Sequence, residues 1–186
     1  MMRHQLWAAA FIPWSVFWYG PPGAPPAAHP ELAKIHQTEV RVSSSDQCAD
    51  GPRFRVKVVS SLEEMQLGLG KRLRPLAAEE GMLFARSEAR PASFWMKDTF
   101  IPLAIGFFDE QAKLSSVEEM TVEPDPTNPK IFYDAKGPVL LSLEVAPGGL
   151  KSTRAGQSRL CVAAPGAGTV KKKKSAAPLV KPSAPS

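Results

Sequence analysis

Ser93-Phe94-Trp95-Met96-Lys97-Asp98-Thr99-Phe100-Ile101-Pro102-Leu103 carries an aromatic pair into a Lys-Asp-Thr cluster and then into a proline-interrupted apolar stretch. Residues 92–97 and 101–108, on either side of the cluster, read as strands. Upstream, Gly81-Met82-Leu83-Phe84 is a short run suited to a buried strand. Arg53-Phe54-Arg55-Val56-Lys57-Val58 alternates polar with apolar residues, the pattern of a half-buried strand. Between these two, Ser60 with Glu63, or Ser61 with Glu64, has capping-box spacing and starts a helix. Leu62, Met65 and Leu69 form its apolar face, and Gly68 and Gly70 end it.

Downstream, residues 114–120 resume strand character after the polar connection Asp109-Glu110-Gln111-Ala112-Lys113. Pro124-Asp125-Pro126-Thr127-Asn128-Pro129 is a loop that cannot sit inside a sheet. Residues 139–145 form an apolar strand with a single charge, Glu144, and Gly156 leads to a last strand at 159–162. One further short strand is expected at 39–42. Many short strands with closely spaced turn signals predict an all-β fold, sandwich or barrel, with one short helix.

The 186 residues suit a single core with tails. Net charge is +5, but its distribution argues against a nucleic-acid face. Between positions 29 and 170 there are 17 basic and 18 acidic residues, so that region is about neutral. The excess lies in the C-terminal tail, at Lys171, Lys172, Lys173, Lys174 and Lys181. No specific nucleic-acid partner is expected. The tail, rich in Ala, Pro, Gly, Lys and Ser, reads as a disordered, solvated segment, and its four-lysine run as a weak contact for an anionic surface.

At the other end, Arg3 and His4 precede an apolar run of 14 residues from Leu6 to Tyr19, followed by small residues and prolines. That is the layout of a Sec-type signal peptide, and the run is short for a membrane span. The expected organisation is therefore a signal peptide at 1–28, a linker at 29–50, a β domain at 51–163 and a basic Pro/Ala/Lys tail at 164–186. The expected location is periplasmic or secreted; the alternative is an uncleaved N-terminal membrane anchor. Cys48 and Cys161 precede the first main strand and lie in the last. If those strands are neighbours, a disulfide closes a loop of over a hundred residues; otherwise one thiol is exposed and the other is a small core residue. An exported chain favours the disulfide.

Several short motifs, in order and at the right spacing, resemble the DUF192 family. They are Gly68-Leu69, Arg72-Leu73, Gly81-Met82-Leu83-Phe84, Phe94-Trp95-Met96-Lys97-Asp98-Thr99, Ile101-Pro102-Leu103, Phe107-Phe108-Asp109, and Leu143-Glu144 before Gly148. The resemblance covers about residues 53–162. It implies a compact β-sandwich or jelly-roll-like barrel in small, often exported bacterial and archaeal domains, and no established activity. The chain departs from the family pattern at Ala104, where the resemblance implies an aspartate, at Asp98 in place of asparagine, at Gly70, and at Gln157.

All three histidines, His4, His29 and His36, precede the domain. A His-based triad or a zinc site with His ligands cannot be built within it, and no metal or cofactor is expected. The chain has no phosphate-binding glycine loop followed by Lys and Ser or Thr. What remains is a charged set among apolar residues: Arg72, Lys97, Asp98 and Glu144, beside Trp95. A carboxylate in an apolar strand needs a partner, and Lys97 or Arg72 is the expected one for Glu144. Two readings follow. In one, Trp95 and Met82 wall a polar pocket for a small anionic or sugar-like ligand or an envelope component. In the other, the charges form a structural ion pair. The functional expectation is an exported cell-envelope accessory or binding protein. The alternatives are a hydrolase or lyase using Glu144 or Asp98 as base, and a structural interaction module with no ligand.

Overall fold

The computed structural model describes residues 36–163. The expected signal peptide and basic tail lie outside the described residues. Nine strands and one helix follow in the order β1 Gln37–Ser43, β2 Arg53–Val59, α1 Leu62–Leu67, β3 Glu80–Arg90, β4 Ser93–Trp95, β5 Leu103–Phe108, β6 Leu114–Met120, β7 Phe132–Asp134, β8 Val139–Val145 and β9 Arg159–Val162. Seven strands make one sheet in the order β6-β5-β8-β3-β2-β1-β9; β4 and β7 form a separate two-stranded ribbon. All pairings are antiparallel except β2 with β3, whose crossover carries α1.

The sheet curls until its edges meet. β9 reaches the residues that lead into β6 through a Lys113–Arg159 bridge and two hydrogen bonds of 2.8 Å, Leu160 N–H to Ala112 O and Leu114 N–H to Ser158 O. The expected all-β, barrel-like fold with one short helix is what the chain forms. The contact is confined to the start of β6, so the sheet is a half-barrel whose two edge strands touch at one end rather than a fully paired barrel.

Each side of the sheet carries its own core. The concave side is filled by Phe54, Val56, Leu83, Phe108, Leu143 and Val145, among others. On the convex side Phe84, Ile105 and Phe107 are covered by Leu69, Leu76, Met96 and Ile101, which come from the loops. β5 and β8 are buried at every position, which is why they read as unbroken apolar runs. β2 alternates, because its Arg53, Arg55 and Lys57 face outward into solvent.

Four expectations change. β1 pairs with both β2 and β9, so residues 29–50 are not simply a linker. β1 contains the short strand expected at 39–42, with Val40 and Val42 buried and Gln37 and Glu39 exposed. β3 runs on to Arg90, well beyond the apolar 81–84. β7 was not foreseen: three residues after a proline-rich loop carry no period. In α1 the Ser61–Glu64 box is the one used, with Ser61 Oγ accepting the Glu64 N–H at 3.3 Å, and Leu62 points into solvent.

β1 and β9 are neighbours, and Cys48 is joined to Cys161 by a disulfide with Cα atoms 6.0 Å apart, across a sequence separation of 113. Beside it, Arg159 Nη1 meets Asp46 Oδ1 at 2.8 Å.

Candidate functional site

The β4–β7 ribbon turns the central sequence motif into two different surfaces. Successive strand residues face opposite sides. Phe94 points inward and packs edge-on against Phe84 and Phe107, with ring centroids 5.0 and 5.7 Å away. Trp95 and its register partner Phe132 point outward. Their rings lie 5.9 Å apart, and they remain 46% and 54% exposed. Lys97 completes this surface, its Nζ 5.5 Å from the centre of the Trp95 ring. Phe100 and Ile131 are also exposed large apolar residues of the adjoining loops.

The turn after Trp95 is held firmly. Met96 is buried and anchors it. Asp98 has a left-handed backbone, φ 52°, a conformation that Asp and Asn tolerate better than most residues. Its N–H donates to Pro126 O at 2.7 Å and its C=O accepts the Lys71 N–H at 2.6 Å. Thr99 Oγ1 donates to Lys97 O at 3.1 Å. Asp98 thus serves as a backbone junction between the loop after α1, the central motif and the proline-rich loop. That last loop is fixed by Glu123, a buried carboxylate missed from sequence, which accepts the N–H groups of Lys130 (2.6 Å) and Ile131 (3.1 Å). A glutamate beside a proline gives no periodic signal that would have marked it.

Arg72 and Glu144 do not join Trp95 and Lys97. Arg72 Nη2 pairs with Glu80 at 2.8 Å, and its Nε donates to Arg74 O at 2.8 Å, so it ties together the loop between α1 and β3. Glu144 sits on the convex face between Met82 on β3 and Ile105 on β5, its register partners. Neither Lys97 nor Arg72 reaches it, contrary to the expected ion pair. Its Oε2 is buried with no hydrogen-bond partner. Burial pushes its carboxyl up to about 8, which keeps it protonated at neutral pH. Met82, the expected second wall of a pocket, is itself buried in the convex core.

Ala104 is fully buried, and its register partner on β6 is Glu119. Glu119 accepts the Gly148 N–H at 3.0 and 3.3 Å. A carboxylate, Glu119, therefore stands across the strand pair from Ala104. Where β1 ends and β9 begins, a polar hollow of about 230 Å³ is lined by Ser44, Ser152, Arg154, Gln157 and Ser158, none of them in the sequence-derived set. Among the described residues no three His, Cys, Asp or Glu side chains are grouped so as to hold a metal ion.

The fold and this surface define a small barrel-like β domain with a two-stranded ribbon clasped over its convex face. The chain belongs to the DUF192 family (uncharacterised ACR), whose model matches residues 45–158. No curated protein matches it in sequence. Two solved structures resemble it at 28% identity and a TM-score of 0.58. One is a Sinorhizobium meliloti 1021 protein described as a "putative transcription regulator", matched over 68% of this chain and 93% of that one. The other is a Novosphingobium aromaticivorans DSM 12444 protein of unknown function, matched over 75% of this chain and 94% of that one.

Proposed function

We propose that the protein is an exported binding module of the cell envelope, and that the Trp95–Phe132–Lys97 surface takes a sugar-like ligand bearing an anionic group. The observation that carries this reading is the outward pair of aromatic rings on a ribbon whose inner residue, Phe94, is locked by Phe84 and Phe107. An exposed apolar patch with a charged rim favours an interaction site over a solvated face. Aromatic faces suit the apolar faces of sugar rings, and Lys97 adds a cation for a carboxylate or phosphate. The Cys48–Cys161 disulfide and the signal-like N-terminus support an exported setting.

The hydrolase or lyase alternative has less support. Glu144 in its neutral form could act as an acid, but it lies beneath a covering layer of apolar side chains. A regulatory role of the kind named for one structural relative is favoured less still, because the region from 29 to 170 is about neutral.

The test is cosedimentation of the full chain with purified peptidoglycan and with neutral and anionic polysaccharides. Trp95→Ala is expected to weaken binding about ten-fold or more, the scale of one lost stacking contact with its cation. Lys97→Ala is expected to weaken only the anionic ligands, and Glu144→Gln to leave binding unchanged. Equal sedimentation of folded Trp95→Ala and the parent would refute the reading.

A further inference from the structure

Arg86 lies on β3 where the strand departs from its register with β8, between Ala85 and Arg90. Its guanidinium is half-buried and sits 5.7 Å from the centre of the Phe94 ring. Its one directed hydrogen bond among the described residues is a long one, from Nη1 to Ser142 Oγ at 3.3 Å. No carboxylate among the described residues pairs with it, and Glu88, two positions along the strand, is no exception. Burial and the neighbouring charge of Arg90 both work against its cation.

The Phe94 ring face and one long hydrogen bond leave this partly desolvated cation without an anionic partner, a costly arrangement. A guanidinium has five N–H donors and no acceptor. Ser142 is fully buried, and because its oxygen accepts from Arg86, its own O–H is left to donate. Guanidinium, hydroxyl and the nearby Arg90 charge therefore all call for the same complement, an acceptor of negative charge. We propose that Arg86, with Ser142 and Arg90, binds a small oxyanion, the carboxylate or phosphate group of a ligand, at the margin of the convex core beside Phe94. This site is separate from the Trp95 surface, because Phe94 and Trp95 face opposite sides of the ribbon.

The experiment is thermal unfolding and calorimetric titration of the full chain with inorganic phosphate and with acetate, at ionic strength fixed with sodium chloride. The parent is expected to gain melting temperature in a saturable way with at least one of the two, and which one identifies the anion class. Arg86→Gln is expected to weaken that anion about ten-fold or more, the scale of a charge-assisted hydrogen bond. Ser142→Ala, which keeps the charge, is expected to weaken it by a smaller factor, and Lys97→Ala to leave it unchanged. No gain with either anion in the parent overturns the proposal. So does an unchanged affinity in both Arg86→Gln and Ser142→Ala.

Discussion

At the scale of single residues, burial without a partner sets Glu144 apart from the other acids of the domain. Glu80, Glu119 and Glu123 all accept hydrogen bonds, and two of these are fed by backbone N–H groups alone. Glu144 Oε2 accepts none, and its carboxyl is pushed up to about 8 by burial. The folded state therefore holds a proton that the unfolded chain releases at the ordinary glutamate value, near 4.5. Stability is full below that value, falls as pH rises through the window between about 4.5 and about 8, and levels off above it. Glu144→Gln keeps the shape and removes the titration. Urea midpoints measured from pH 5 to 9 are expected to fall for the parent and to stay flat for Glu144→Gln, with the variant the more stable at pH 9. A parent midpoint that does not change across this range would mean the carboxyl is solvated or paired. The sequence shows that Glu144 stands alone in an apolar strand; it does not show which residues flank it across the sheet. Met82 and Ile105 do so through strand pairings that join distant parts of the chain. The Arg72–Glu80 pair was hidden for a related reason, since eight residues of loop have no period to read.

At the scale of elements, the legible strands are those whose burial stamps a pattern on the sequence. β2 alternates because one face is wet, and β5 and β8 are continuous because neither is. β7 and the second half of β3 carry no such stamp. β7 spans only three residues, and the far half of β3 has mostly left the core. The β4–β7 ribbon makes a sharp energetic contrast within two adjacent residues. Phe94 fills the space against Phe84 and Phe107, and Trp95 is largely free of the core. Phe94→Ala is expected to cost about 2–3 kcal/mol, somewhat below the range for a fully enclosed phenylalanine. Trp95→Ala is expected to cost under about 1 kcal/mol, as surface substitutions do. Chemical denaturation of the two variants measures both. A Trp95→Ala cost as large as that of Phe94→Ala would make Trp95 a structural anchor rather than a binding surface.

At the scale of the whole molecule, the disulfide and the closure of the sheet act on the same seam. β1 and β9 pair, β9 meets the start of β6, and Cys48–Cys161 ties that seam to the loop after β1. The all-β class, the short helix and the pairing of the cysteines were legible, because turn signals and the positions of the two cysteines are local facts. The curl that brings β9 to β6 was not, since it depends on twist accumulated over seven strands. Constraining 113 residues of unfolded chain is worth about 4–5 kcal/mol in the chain-entropy picture. The Cys48→Ser, Cys161→Ser double variant is expected to lose stability on that scale while retaining the far-ultraviolet signature of the sheet. A loss below about 1 kcal/mol would show that the seam holds without the covalent link.

The most direct measurement is NMR titration of the full chain with a soluble anionic muropeptide, following the tryptophan indole N–H signals. Trp95→Phe assigns the Trp95 signal among the four tryptophans. Binding at the ribbon is expected to shift the Trp95 indole together with the signals of Phe132 and Lys97, and to leave Ser44 and Gln157 in the hollow where β1 ends and β9 begins untouched. A saturable response confined to the hollow, or none at all, would contradict the Trp95–Phe132–Lys97 surface as the binding face.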